Sequence, residues 1–162
     1  MLFMRKILPF CLMIAAACAT AGAATVQQES TAVNAVIDQF HKAAASADEP
    51  EYFGLMAPDF VFLGTDATER WDLTAFRAFV HPYFSKGTGW TFTPHDRHVT
   101  ISPAGDAAWF DEKLDSASYG DCRGSGALEK VGGEWKMSLY NLTIPIPNSL
   151  AKTVVKMIRE GK

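Results

Sequence analysis

The stretch AAWFDEKLDSASYGDCRGSGALEKVGGEWKMSLYNLT, residues 107–143, decides the fold. It holds three runs of alternating apolar and polar residues, 107–116, 122–131 and 135–143, with turn residues between them. Gly132-Gly133 between two such runs is a strong hairpin signal, because paired glycines accept the positive φ of a two-residue turn. The residues 117–121 make a second turn. The segment therefore predicts a three-stranded antiparallel meander.

Alternation then sorts its side chains into two faces. A turn centred near 117–118 sets Glu112 opposite Arg123 and Trp109 opposite Gly126. The glycine hairpin sets Leu128 opposite Met137, Gly126 opposite Leu139 and Gly124 opposite Asn141. On this register Trp109, Leu128, Trp135, Met137 and Leu139 form the core face. Phe110, Glu112, Arg123, Glu129, Lys136, Ser138 and Tyr140 face outward. Asp111 and Asn141 also point inward, level with Gly124, which leaves space beside them. Two polar groups beside a gap predict a polar spot in an apolar cavity, or a pair that satisfies each other or a helix end.

Outward from this segment, residues 90–93 and 97–102 read as two further strands, and 60–64 as a buried one. A helix is expected from about Ser30 or Thr31 to Ala47, with Val33, Val36, Ile37 and Phe40 at helical spacing. A short one spans Glu51 to Met56. A third is capped by Asp72 or Thr74 and carries Phe76, Phe79, Val80 and Tyr83 on one stripe. Pro145 and Pro147 end the sheet. A last helix follows, with Leu150, Val154, Met157 and Ile158 on one face and Lys152, Lys156 and Arg159 opposite, expected to dock on the protein's own body. Helices first and strands after predict an α+β domain with the helices packed on one face of a curved antiparallel sheet.

The N-terminus reads as a signal peptide, residues 1–23. Arg5 and Lys6 precede an apolar run over Ile7 to Ala17, and A-x-A sites end at Ala21 and Ala23. The run is shorter than the ~20 residues a membrane span needs. Cys18, preceded by small residues, offers lipid anchoring as a rival to soluble export into the periplasm or medium. Residues 24–30 follow as a polar, flexible leader, and 31–162 form the domain. The formal net charge of −3 becomes about −5 once Arg5 and Lys6 leave. A mildly acidic chain without a basic run is not built to hold a nucleic-acid backbone, and no membrane contact is expected after signal removal. Cys122 is the one cysteine beyond the signal, so no intramolecular disulfide is expected.

Motifs of chemistry are sparse. No Cys/His spacing suits zinc, Gly124-Ser125-Gly126 lacks the pattern of a nucleophile elbow or phosphate loop, and no cofactor is expected. In Glu69-Arg70-Trp71, Arg70 either binds an acidic ligand group or pairs with Asp66 or Asp72.

The run from Gly64 to Trp71, Gly89-Trp90-Thr91-Phe92, Ala108-Trp109-Phe110-Asp111-Glu112, Cys122 to Gly126 and Trp135-Lys136-Met137 resemble the SnoaL-like branch of the nuclear transport factor 2 superfamily. The resemblance implies a cone-shaped α+β barrel, usually dimeric, with a cavity between the helices and the concave sheet. It implies no single activity, since such folds host isomerases, dehydratases, cyclases and binders. Laid on the ketosteroid isomerase pattern, the tyrosine position falls at Phe40, the base at Gly64 and the acidic donor near Gly126. Those three groups are absent, and the pocket-lining positions fall at Leu139, Asn141 and Thr143.

The leading expectation is an exported homodimer that binds a small, partly apolar molecule through Phe40, Trp90, Trp109, Asp111, Leu139 and Asn141, without catalysis. The alternatives are a lyase or isomerase acting on a small carbonyl compound through Asp111, and a non-catalytic dimerisation or partner-binding module.

Overall fold

The computed structural model describes residues 10–161, with side chains from residue 25 on. Arg5 and Lys6 lie outside the described residues, as do the side chains of Cys18, Ala21 and Ala23. Ten elements follow in order: α1 (Phe10–Ser46), α2 (Glu49–Gly54), β1 (Met56–Leu63), β2 (Arg70–Asp72), α3 (Leu73–Phe84), β3 (Thr93–Ile101), β4 (Ala107–Ser116), β5 (Gly120–Val131), β6 (Glu134–Thr143) and α4 (Ala151–Glu160). The strands form one open, curved six-stranded sheet in the order β2-β1-β6-β5-β4-β3. All neighbours are antiparallel except β1 and β6, which run parallel.

Local chemistry accounts for the helices. Asp72 caps α3 by accepting from the Ala75 N–H at 2.8 Å, and Asp48 caps α2 by accepting from the Glu51 N–H. Val33, Ile37, Phe40, Ala43 and Ala44 on α1 are buried against the sheet's concave face, and α3 adds Phe76, Val80 and Phe84. Gly89 lets the chain cross α1 closely: a Cβ there would overlap the Ala44 carbonyl, to which Trp90 N–H donates. No residue of α4 is buried, so the expected docking of this helix on the body is absent. The irregular segment 144–147, with Pro145 and Pro147, and the turn at 148–150 lead from the sheet to it.

The register of the meander differs from the expected one at two places. The loop between β4 and β5 has three residues, 117–119, and Gly120 closes it at φ 70°; Glu112 therefore pairs with Gly124, and Trp109 with Ala127. The Gly132-Gly133 hairpin forms as expected, with both glycines at positive φ and Leu128 opposite Met137. A bulge at Ser138 then shifts the ladder, so Ala127 faces Leu139 and Gly126 faces Tyr140. Each change moves pairing by one residue, which exchanges the two faces.

The core therefore takes Phe110, Glu112 and Tyr140, three residues expected outside. Trp109, Asp111, Leu139 and Asn141, expected inside, lie on the convex face. Trp109 is 52% exposed, Asp111 is exposed, and Leu139 and Asn141 are half-buried. The glycines do sit on the inner face, but they make room for other neighbours. A Cβ on Gly124 would lie 2.9 Å from Glu112 Oε1, and one on Gly126 would lie 2.8 Å from the Phe110 ring.

Candidate functional site

Two constructions fill the concave side, one open and one closed. The open one is a cavity of about 300 Å³ between α3, the end of β1, the segment entering β3, and the β4–β5 loop. Its walls include Phe62, Trp71, Phe76, Phe79, Tyr83, Trp90, Phe92 and Tyr119, with Leu142 beside them. Its polar lining residues are Thr65 and Glu69. The aromatic faces are ordered: Phe62 stacks on Phe76 at 4.2 Å between centroids, and Trp71 on Phe79 at 4.7 Å. Phe79 and Tyr83 are substantially exposed although they belong to the α3 stripe, because they border this cavity.

Glu69 reaches the cavity through a tight turn. Gly64 N–H donates to the Glu69 carbonyl at 2.9 Å, and Asp66 accepts from both the N–H and the hydroxyl of Thr68. The Glu69 side chain then lies across Gly64, where a Cβ would overlap its carboxylate. Its Oε2 accepts from the Asp66 N–H at 3.1 Å. Asp66 and Asp72 are thus engaged in turn and cap, and Arg70 is exposed without an ion pair to either.

The closed construction is a buried charge network. Glu112, 1% exposed, receives His41 Nε2–H at 2.6 Å and the Tyr140 hydroxyl at 3.4 Å on Oε1, and Arg97 Nε–H at 2.7 Å on Oε2. Arg97 also donates to the Asp38 carboxylate at 2.7 Å and to Asn34. Burial alone would raise the Glu112 carboxyl, but the bonds and charges of His41 and Arg97 outweigh it and hold the group below its ordinary value of 4.5. Burial, then the Glu112 charge, keeps the Tyr140 phenol protonated well above its usual range, so it remains a donor.

With three donors converging on it, Glu112 is an ionised anchor between α1, β3, β4 and β6 rather than a free base. Phe62 on the cavity wall stacks on Tyr140, whose hydroxyl reaches Glu112, and no member of the network lines the cavity. Between the two constructions sits Tyr52, fully buried against Trp90, Phe76 and Phe40. The Trp90 indole approaches its hydroxyl without a hydrogen bond of normal geometry, and burial keeps that phenol protonated.

Of the six residues expected to bind a ligand, the structure brings only Trp90 to the cavity. Phe40 is core, between Tyr52 and Tyr140 at 4.7 and 4.8 Å. Trp109, Asp111, Leu139 and Asn141 are on the other side of the sheet, where Asn141 donates to Ser125 Oγ at 3.5 Å. In sequence Glu69 stands out only as the neighbour of Arg70, and the expected register turns Glu112 outward. Cys122 is a buried free thiol whose pKa burial and Asp121 push up, in keeping with a small core residue.

A family model described as a SnoaL-like domain matches residues 33–147, which span the whole sheet and α3, the helix that lines the cavity. The chain belongs to the SnoaL-like family. Among solved structures, a nuclear transport factor 2-like protein of unknown function from Pseudomonas putida is 18% identical, with TM-score 0.61 over 75% of this chain and 89% of that one. A provisionally named dehydratase of the same fold family from Streptomyces avermitilis is 11% identical, with TM-score 0.64 over 75% and 99%. A provisionally named scytalone dehydratase from Novosphingobium aromaticivorans is 13% identical, with TM-score 0.63 over 76% and 89%. At such identities the feature shared with these neighbours is the fold. No curated protein matches the chain.

Proposed function

We propose that this SnoaL-like chain binds a small, largely apolar, ring-bearing molecule in the aromatic cavity. The observation that carries the reading is the lining itself: eight of its eleven residues are aromatic, around about 300 Å³ open to solvent. A pre-formed concave apolar surface with a few polar groups is the usual form of a small-molecule site. The buried Glu112 network takes no part in chemistry on this reading, because its oxygens are already engaged. Asp111 is exposed on the convex face and does not line the aromatic cavity, so it has no part in this reading.

The binder is exported and homodimeric on this proposal. Export is supported by Arg5, Lys6, the apolar run and the small-residue sites. Dimerisation is supported by a row of apolar side chains across the convex face: Val61 pairs with Leu139, Leu139 with Ala127, and Ala127 with the exposed Trp109.

Native mass spectrometry of protein purified from its host tests the binding. Wild type is expected to carry an added small mass, and Thr65→Trp, which fills the cavity from its rim, to lack it. An added mass of equal occupancy in both proteins would overturn the assignment to this cavity.

A further inference from the structure

The cavity wall has an imbalance of charge. Among the described residues no lysine, arginine or histidine lines it, whereas Glu69 does. Glu69 Oε2 is held by the Asp66 N–H, while Oε1 accepts no hydrogen bond and the carboxylate has no ion-pair partner among the described residues. The side chain is half-buried and fixed by the Asp66–Thr68 turn and by the missing Cβ of Gly64. A partly desolvated carboxylate held in place and unpaired favours the arrival of a positive charge.

The surrounding rings favour the same charge. An aromatic face presents negative potential, and a cation over such faces is attracted, most strongly by tryptophan. Trp71 and Trp90 both line the space, with Phe92 and Tyr83 beside them. Both features repel an anion of the same size. A merely apolar pocket for a neutral ring would gain nothing from Glu69.

Resting on the ligand-binding reading above, we propose that the molecule held here carries an organic ammonium group, seated on the faces of Trp71 and Trp90 and paired with Glu69. The class is an alkylated or aromatic amine whose apolar part fills the rest of the cavity.

The test uses three water-soluble probes of nearly one shape: choline, the neutral 3,3-dimethylbutan-1-ol and the anionic 3,3-dimethylbutanoate. Each is titrated into 15N-labelled protein while the four indole N–H signals are followed. The expected result is movement of the Trp71 and Trp90 signals, not those of Trp109 and Trp135, with choline binding about tenfold tighter than the alcohol. Glu69→Gln keeps the acceptor for the Asp66 N–H and removes the charge. It should weaken choline about tenfold and leave the alcohol within about twofold. If the alcohol or the anion binds as tightly as choline, or Glu69→Gln leaves the ratio unchanged, the cationic class is wrong while the cavity stands as a binding site. If no probe moves Trp71 or Trp90, both the class and the binding reading fail.

Discussion

Gly126 on β5 lies opposite Phe110 on β4, and the Phe110 ring occupies the space a side chain on Gly126 would need. This pair fixes which face of the meander points inward. Gly126→Ala would drive a methyl against the Phe110 ring and against the Leu139 carbonyl, a backbone atom that cannot swing aside. Urea unfolding should show a loss of about 1–3 kcal/mol, the usual cost of overpacking. A change below ~0.5 kcal/mol, typical of an open surface site, would mean the ring is elsewhere.

Neighbouring carboxylates on β4 should behave oppositely. Glu112→Gln removes the charge on which His41, Arg97 and Tyr140 converge, leaving Arg97 under-compensated in the interior. Breaking such a buried pair costs roughly 3–5 kcal/mol. Asp111→Asn, on the convex face, should stay within about 0.5 kcal/mol. Equal effects in chemical denaturation would contradict the observed register.

The same network sets an acid limit on stability. The folded Glu112 carboxyl titrates below its ordinary value of 4.5, so the unfolded chain binds its proton first as pH falls. Its contribution is therefore complete above about pH 4.5 and is lost as pH falls through the lower folded value. Thermal unfolding of wild type and Glu112→Gln between pH 6 and pH 3, a range chosen on that linkage, should show the two midpoints converging toward acid. A gap that widens toward acid would give the linkage the wrong sign.

Trp109, half-exposed on the convex face beside Ala127, tests the dimer. Sedimentation should report a dimer for wild type and a monomer for Trp109→Lys, because a charge replaces the largest apolar group of the surface. A wild-type monomer would remove the proposed interface.

Most of the architecture was legible because it rests on local chemistry. The limits of β4, the Gly132-Gly133 hairpin and the Asp72 cap all follow from residues adjacent in sequence. The site was not legible, since the inward face depends on two single-residue shifts. Gly120 closing a three-residue loop is one, and it is visible in principle as a glycine placed to adopt positive φ. The bulge at Ser138 is the other, and nothing in Met137-Ser138-Leu139 announces it. β2 is three residues long and forms only because β1 offers an edge. The cavity needs α3, β1 and the segment around Trp90 to converge, so its aromatics read in sequence as ordinary core stripes.

The central claim is that ligands enter the aromatic cavity and not the convex face. A neutral fluorescent ring, 1-naphthol, titrated against wild type, Thr65→Trp and Trp109→Lys tests it most directly. The cavity account predicts saturable binding, with a dissociation constant on the order of 100 μM for so small a molecule. Thr65→Trp should abolish that binding, and Trp109→Lys should leave it unchanged. Loss of binding in Trp109→Lys with retention in Thr65→Trp would contradict the account.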